Sequence, residues 1–211
     1  MKLLATQAMP QMRAHEHPNL GRLVTPRHYP SLHEHEGLTW AADNDCFQGL
    51  DPHAYYTMLD ALKGAPGRCV FVTIPDVVED ARATAERFEV WWTATTRRGL
   101  PTALVAQDGL ERLGRWLPMV WPRIDALFIG GSTEWKLGPH AEAFVREAKQ
   151  RGKWVHMGRV NSARRIRYAN SIGVDSIDGT SWVRWRNTYL DEGVAYVSEP
   201  RPHAGQIRIA A

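Results

Sequence analysis

The sequence predicts an α/β fold, a trimmed (β/α)8 TIM-like barrel formed by a single domain. Short apolar or β-branched runs alternate with longer amphipathic runs along most of the 211 residues. This length is sufficient for one well-buried core and short for two. No fixed-period repeat, low-complexity tract or linker-like change of composition interrupts residues 20–198.

Seven runs have the length and composition of strands. They are residues 22–24, 39–42, 69–74, 102–106, 126–129, 154–157 and 176–177, with residues 194–197 as a weaker eighth. Helix start and stop signals lie between several of them, at residues 51–64, 139–152 and 162–173. Each of these segments begins with a capping residue or a proline and ends at a glycine. This rhythm predicts a barrel, with an open doubly wound sheet as the alternative.

The two ends of the chain carry weaker signals than its interior. Residues 1–20 are rich in His, Gln and Met, and residues 198–211 contain two Pro and one Gly. Both ends are therefore expected to be poorly ordered.

Apolar runs and cysteines exclude several classes of protein. The longest apolar runs are strand-sized, and residues 1–8 are too short for a signal peptide or a membrane segment. A cytoplasmic protein with no membrane partner is expected. Cys46 and Cys69 are the only cysteines, so neither a disulfide framework nor a four-cysteine zinc site can be assembled.

Basic residues are concentrated toward the C-terminal third. The formal net charge is +3, yet residues 146–186 contain ten Lys or Arg against three acidic residues. Such asymmetry is typical of proteins with a polyanionic partner. Solvated helix faces are the alternative interpretation.

A polar or glycine-bearing segment follows each of six consecutive predicted strands. A single Asp, Asn or Gly in such a place is an ordinary loop or cap residue. A barrel, however, gathers the carboxyl ends of all its strands around one pocket, so the recurrence predicts a functional site there. The residues are Asp43, Asp76, Gln107, Gly130 with Gly131, Met157 with Gly158 and Arg159, and Asp178.

From about Thr39 to about Thr180, the order and spacing of these segments resemble the tRNA-guanine transglycosylase family. Residues 43–48 resemble the family's Asp-Ser-Gly-Gly-Phe-Gln segment, and residues 106–109 resemble its Val-Gln-Gly-Gly segment. Asp76 follows a hydrophobic strand, as the family's guanine-reading Asp does, and Gly130-Gly131 matches a base-contacting turn. Residues 156–159 are similar to Leu-Met-Gly-Val, and residues 173–178 are similar to Gly-Ile-Asp-Met-Phe-Asp.

The resemblance implies a chemistry that needs no cofactor and no metal. Asp178 takes the place of the nucleophile, which forms a covalent glycosyl-enzyme intermediate at C1′ as a retaining glycosidase does. Asp43 takes the place of the general acid/base, which protonates the departing guanine and deprotonates the incoming base. Asp45 is an alternative to Asp43, and Asp175 is the nearest alternative to Asp178.

The implied base pocket reads the hydrogen-bonding edge of guanine. A carboxylate accepts from N1–H and the exocyclic amine, which suits Asp76, while amide groups donate to O6. Gln107 and the backbone N–H groups of Gly130 and Gly131 suit that second task. Met157 and Gly158 complete the proposed base-binding set.

The chain departs from the family in two ways. Residues 179–211 contain no cysteine, so the family's zinc-binding segment is missing, and the chain is much shorter than a full-length tRNA enzyme. In both respects the chain resembles the shorter DNA-modifying branch of the family. That branch inserts 7-deazaguanine derivatives of the preQ0 type into DNA in phages and bacteria. The expected activity is therefore that of a DNA guanine transglycosylase in a bacterial or phage-infected cell.

Its expected partners are guanine-containing DNA and a free 7-deazaguanine base, with a helper protein as a further candidate. Base exchange on tRNA, a non-catalytic nucleic-acid-binding subunit and a glycosidase that only removes the base are the alternatives. A target in a duplex must be flipped out, because the stack shields C1′ and the base edge.

Further side chains are candidates for contacts with the polymer or with a metal. Trp182 and Trp185 suit base stacking, with a place in the core as the alternative. The histidines at positions 15, 17, 28, 33 and 35 do not have a third ligand at a diagnostic spacing, so no metal is expected. Six arginines near Asp178 in sequence suit phosphate contacts, namely Arg159, Arg164, Arg165, Arg167, Arg184 and Arg186.

Overall fold

A closed barrel of eight parallel strands forms the centre of the molecule. The structure, a computed structural model, describes residues 1–5, 17–29, 36–184 and 188–201. Each strand pairs with the next in chain order, and β1 pairs with β8 to close the barrel. The (β/α)8 fold expected from the sequence is confirmed. The strands are β1 Lys2–Ala5, β2 Leu20–Val24, β3 Thr39–Ala42, β4 Arg68–Thr73, β5 Thr102–Ala106, β6 Ala126–Ile129, β7 Trp154–Met157 and β8 Ser176–Ile177.

Helices connect most of the strands, and the capping signals locate their ends. Asp51 accepts a hydrogen bond from the N–H of Ala54 at 3.0 Å, and α6 ends at Gly173 with a φ of 97° that favours glycine. In the described part of the chain, 3₁₀ turns lie at Cys46–Gln48, Leu110–Arg112 and Trp121–Arg123. The helices are α1 Pro52–Leu62, α2 Ala81–Thr96, α3 Leu117–Val120, α4 Thr133–Lys136, α5 Pro139–Gln150, α6 Ala163–Ile172, α7 Ser181–Arg184 and α8 Thr188–Ser198.

The eighth strand is β1, so the assignment of residues 194–197 to a strand is wrong. These residues belong to α8, where Val194 and Val197, three positions apart, are both buried against the barrel. β1 pairs Leu3 with Leu20 of β2 and with Ile177 of β8. A four-residue apolar run has a weak signal by itself, and it becomes a strand here because it has a partner on both sides.

The alternation of side chains along the strands directs the polar strand ends toward the centre of the barrel. Successive side chains of a strand point to opposite faces. In β5 and β6, Val105 and Phe128 pack in the barrel interior, whereas their neighbours pack against the helices. Gln107 and Gly130 stand two residues after these interior positions. The same period of two leads from Ser176 to Asp178, so these strand ends meet above the barrel interior.

Parts of both ends of the chain belong to regular elements of the barrel. Disorder was expected for residues 1–20 and 198–211, but residues 2–5 form β1 and residue 198 ends α8. Residues 6–16 and 202–211 lie outside the described part of the chain.

Within the described part, no helix has the length and apolar character needed to cross a membrane.

Candidate functional site at the carboxyl ends of the strands

A cavity of about 80 Å³ opens at the carboxyl ends of the strands. This is the end at which (β/α)8 barrels carry their active sites. The structure brings most of the residues singled out in the sequence together around it. Those that line the cavity are Asp43, Asp76, Gln107, Gly130, Gly158, Arg159 and Asp178.

Asp178 directly follows β8 and is held through one of its two carboxylate oxygens. Its side chain is almost fully buried. Oδ1 accepts a hydrogen bond from the backbone N–H of Arg159 at 2.8 Å and lies 3.2 Å from Nε2 of His156. Oδ2 receives no hydrogen bond from any residue that the structure describes. One oxygen therefore fixes the orientation of the carboxylate and leaves the other available for chemistry.

A chain of hydrogen bonds inside the barrel sets the tautomer of His156. Its Nδ1 lies 2.9 Å from Oγ of Ser176, and the indole N–H of Trp154 donates to the same oxygen at 2.8 Å. A carboxylate oxygen can only accept, so Nε2 of His156 donates to Asp178. The Ser176 hydroxyl, which accepts the indole N–H, can then donate its own proton to Nδ1. His156 has no exposed surface, and it orients Asp178 from below.

Asp43 faces the same cavity from the end of β3. Its Oδ1 accepts hydrogen bonds from the N–H of Asn44 at 2.8 Å and from the hydroxyl of Thr73 at 3.2 Å. Burial, the largest cause, and the negative charges of Asp76 and Asp178 raise the pKa of Asp43 to about 7. A carboxyl group with a pKa near neutrality can both give and accept a proton.

Asp76 holds two amide side chains, one on each carboxylate oxygen. Asn44 Nδ2 donates to Oδ1 at 2.8 Å, and Gln107 Nε2 donates to Oδ2 at 2.6 Å. Burial raises the pKa of Asp76 above its ordinary value, although the two amide hydrogen bonds oppose this shift. Each carboxylate oxygen can accept a second hydrogen bond, so Asp76 keeps acceptor capacity toward the cavity.

The N–H groups of Gly130 and Gly131 are already used within the protein. Gly130 donates to the carbonyl of Ala106 at 2.9 Å, and Gly131 donates to Oε1 of Gln107 at 2.8 Å. Their expected donation to a base is not compatible with this arrangement. A Cβ on Gly130 would lie 2.9 Å from Nε2 of Gln107, so this glycine makes room for the amide. Among the described residues, Nε2 of Gln107 donates only to Asp76, which leaves its second amide hydrogen for a ligand.

The turn after β7 brings Gly158 and Arg159 to the edge of the cavity. A Cβ on Gly158 would lie 2.7 Å from the Phe128 ring, which only glycine avoids. Arg159 has a φ of 58°, a left-handed conformation that is uncommon for a side-chain-bearing residue. Its guanidinium group donates to the carbonyl of Gly131 at 2.7 Å and lies 4.9 Å from the centre of the Phe47 ring.

Met157 and Trp182, which the sequence suggested as ligand contacts, belong to the core. Met157 is fully buried among the residues between the barrel and the helices, because it alternates with inward-facing His156. Its side chain does not line the cavity described above. Trp182 is buried and donates its indole N–H to the carbonyl of Val160 at 2.6 Å. Trp185 lies outside the described residues.

The arginines proposed to bind phosphates differ in their partners. Arg164 and Arg165 line a second cavity beside Ser162 and Tyr168, and neither forms an ion pair with a described carboxylate. Arg167 differs from them because both oxygens of Glu199 accept hydrogen bonds from its guanidinium group. Nothing is described of the Arg184 side chain, and Arg186 lies outside the described residues.

The alternative carboxylates have structural partners. Asp45 forms an ion pair with Arg27 at 2.9 Å. Asp175 pairs with Lys149 at 2.6 Å and accepts the N–H of Val155 at 2.8 Å. Neither lines the cavity, which favours Asp43 and Asp178. The described residues contain no group of His, Cys, Asp or Glu that could hold a metal, and the histidines at positions 15, 33 and 35 lie outside them.

Several residues at the site were not singled out from the sequence, among them Asn44, His156 and Lys136. Asn44 is visible only as part of a polar loop, and His156 occupies an inward position of β7 that the period of two could have identified. Lys136 ends a short helix, where the sequence predicts a surface residue. It is buried instead, with its ammonium group 2.9 Å from the carbonyl oxygen of Gly158. Contacts between distant segments were needed to recognise Asn44 and Lys136.

Comparison with known proteins adds no relative to this description. No protein-family model matches the chain, and no curated protein matches it.

Proposed function

We propose that this protein is a DNA guanine transglycosylase, which exchanges guanine in DNA for a 7-deazaguanine derivative through a covalent glycosyl-aspartate intermediate. The observation that carries the proposal is the pair of carboxylates, Asp178 and Asp43, which line one cavity in different surroundings. Asp178 is oriented by two donors on one oxygen. Asp43 has a pKa near neutrality because it is buried beside other acids. A nucleophile and a general acid/base need this division of roles.

The exchange conserves protons and needs no reactant other than the DNA and the incoming 7-deazaguanine base. Oδ2 of Asp178 forms a bond to C1′ of the sugar while the C1′–N9 bond to guanine breaks, and protonated Asp43 supplies the proton that the departing base takes up. Asp43 is then a carboxylate. It removes the N9 proton of the incoming 7-deazaguanine, whose nitrogen attacks C1′ and releases Asp178. The strand is never cut, because the sugar stays bonded to both of its phosphates throughout.

The acceptor and donor groups of the cavity support recognition of a guanine-like edge. Asp76 retains acceptor capacity for N1–H and the exocyclic amine, and the remaining N–H of Gln107 suits the carbonyl O6. Adenine presents the opposite pattern at these atoms, so it would leave the buried Asp76 and Gln107 unpaired. Such a mismatch costs about 1–3 kcal/mol for each unpaired group.

A nucleobase can enter only when the edge of the cavity opens. Its volume of about 80 Å³ is below the roughly 300–1,000 Å³ that is usual for ligand sites. Arg159 reaches from the β7 turn to Gly131 and to Phe47, whose side chain is 63% exposed. Displacement of these two side chains would enlarge the site without disturbing the barrel. Their position also suits contact with a flipped base and its phosphates.

Two arginines that have no carboxylate partner among the described residues lie beside the site, and they support a polyanionic substrate. Arg164 and Arg165 lie at the start of α6, on the same end of the barrel as the cavity, and the second cavity between them and Leu137 measures about 390 Å³. The charge of Arg165 lowers the pKa of Lys136, which contacts the Gly158 turn, so the arginine is close to the site. Phosphate oxygens are the natural partners of such arginines.

We expect the double variant Arg164→Gln and Arg165→Gln to weaken DNA binding similarly for all sequences. The slope of log Kd against log salt should decrease by about 1 for each phosphate that the variant can no longer bind. Fluorescence anisotropy with labelled DNA at several salt concentrations measures it. The matched control is Arg146→Gln with Arg151→Gln, whose arginines are paired with glutamates on α5. Equal slopes for both double variants would refute the assignment of Arg164 and Arg165.

The proposed function is tested by mass spectrometry of nucleosides from cells that express the protein and are supplied with 7-deazaguanine precursors. We expect a 7-deazaguanine deoxynucleoside in DNA with the wild type and none with Asp178→Asn. Parallel reactions with labelled guanine on DNA and on tRNA identify the polymer. Modified tRNA with unmodified DNA would assign tRNA exchange instead, and abasic sites without an inserted base would assign a glycosidase. Absence of all three products would overturn the proposal.

A further inference from the structure

Lys136 is a buried cation whose one described polar partner is a neutral group. It ends α4 and is 1% exposed. Among the described residues it forms no ion pair, and its Nζ donates only to the carbonyl oxygen of Gly158, at 2.9 Å. Burial of a charge without a paired carboxylate is costly, and an apolar side chain would fill the same space without that cost. A purely structural role therefore does not account for a lysine here.

The contact of Lys136 continues to Asp178 through a single peptide group. The carbonyl that Lys136 binds belongs to the peptide between Gly158 and Arg159. The N–H of that same peptide donates to Oδ1 of Asp178 at 2.8 Å. A cation on the carbonyl oxygen polarises the peptide and strengthens the hydrogen bond that its N–H donates, since bonds in series reinforce each other.

The backbone conformation at Arg159 requires contacts that hold it in place. Arg159 has a left-handed φ of 58°, and its N–H donates to Asp178. Strained backbone persists where surrounding contacts hold it. Val160 donates its N–H to the carbonyl of Asp178 at 2.7 Å, and Gly158 donates to Ile129 at 3.0 Å, but only Lys136 holds the Gly158 carbonyl itself among the described residues.

We propose that Lys136 is a positioning residue for Asp178, acting through the Gly158–Arg159 peptide. It holds this peptide so that the N–H meets Oδ1, and its charge strengthens that hydrogen bond and so fixes the direction in which Oδ2 faces C1′. The inference rests on the proposed function where it concerns rate, whereas the Lys136–peptide–Asp178 connection can be tested without any substrate.

The first test follows the amide resonance of Arg159 by NMR in the wild-type protein. Burial, as the largest cause, lowers the pKa of Lys136 to about 8, and the charges of Arg159 and Arg165 lower it while those of Asp178 and Asp108 raise it. We expect the Arg159 amide proton to move upfield with a midpoint near pH 8, as Lys136 loses its proton. This transition should be absent in Lys136→Met. A resonance that is insensitive to pH in this range and unchanged in Lys136→Met would overturn the proposal.

The second test measures the rate at which the covalent protein–DNA adduct forms in a single turnover. We expect Lys136→Met to lower this rate about 10–100-fold with little change in Kd for DNA, a loss of the size found when the hydrogen-bond partners of metal-ligating side chains are removed. Lys136→Gln, which keeps an N–H donor but no charge, should fall between the wild type and Lys136→Met. If Lys136→Met does not fold, Lys136→Gln serves for both measurements. A folded variant with the wild-type rate would overturn the role in catalysis.

Lys153→Met is the matched control. Lys153 also donates from Nζ to a backbone carbonyl, that of Ile124 at 2.6 Å, but it precedes β7 at the opposite end of the barrel. Its loss should leave the Arg159 resonance and the adduct rate unchanged. If the wild type forms no adduct with any nucleic acid, the proposed function fails, and the NMR titration alone then decides whether Lys136 controls the Asp178 hydrogen bond.

Discussion

Asp178→Asn is expected to lower base exchange by about 10⁴-fold or more, because an amide oxygen cannot form the glycosyl-enzyme bond. Asn keeps the size of the side chain and an oxygen that can accept the Arg159 N–H, so the fold and the affinity for DNA should be retained. Release of labelled guanine and the covalent adduct seen on denaturing gels both measure the first chemical step, and insertion of labelled 7-deazaguanine measures the second. Binding is measured separately by anisotropy.

Asp175→Asn is the matched control for this variant. Asp175 lies three residues earlier and is engaged by Lys149 and Val155 on the outside of the barrel. Its replacement should lower stability while leaving the rate per folded molecule unchanged. Retention of exchange in Asp178→Asn together with loss in Asp175→Asn would transfer the nucleophile to Asp175.

Asp43→Asn is expected to slow release of guanine by about 10²–10⁴-fold, the usual contribution of a general acid. Since the pKa of Asp43 is about 7, its protonated form declines above that pH. Adduct formation by the wild type should therefore fall as pH rises through about 7, and the variant should be slow at every pH. Single-turnover rates between pH 5 and pH 9, on the order of one measurement per half unit, test this. Asp45→Asn is the control, and the reverse pattern would assign the acid to Asp45.

Asp43→Asn should also raise the free energy of unfolding at alkaline pH. Folded Asp43 keeps its proton up to about pH 7, whereas an unfolded Asp releases it near the ordinary value of 3.8. The folded state binds more protons between these values, so the contribution of Asp43 to stability falls as pH rises through that range. We expect Asp43→Asn to be more stable than the wild type at pH 8 by about 1–3 kcal/mol, and the difference to vanish near pH 4. Urea unfolding at the two pH values measures it.

Local sequence patterns were enough to predict the barrel and the end of it that carries the site. Seven of the eight strands and the three best-signalled helices coincide with the structure, because apolar runs and caps act over a few residues. The polar strand ends were recognisable because parallel strands that close into a barrel gather their carboxyl ends. β1 was missed because its four residues become a strand only by pairing with β2 and β8.

The hydrogen-bond partners of the site residues could not be predicted from the sequence. It indicated Gly130 and Gly131 as donors to a ligand, but the fold uses their N–H groups for Ala106 and Gln107. It placed Met157 against the base, but the strand alternation directs that side chain outward and His156 inward. Which of two adjacent residues faces a cavity depends on the register of the whole barrel.

The sequence by itself determined the class of fold, the carboxylates that follow β3 and β8, and the excess of basic charge near the second of them. Those features depend on residue type and on spacing along the chain. Only the tertiary structure decided that Asp178 is held through one oxygen by His156 and Arg159, that burial beside two acids shifts the pKa of Asp43, and that Lys136 lies behind the Gly158 turn. The physical reason is that each of these depends on distances between segments that are remote in sequence, and barrel closure sets those distances.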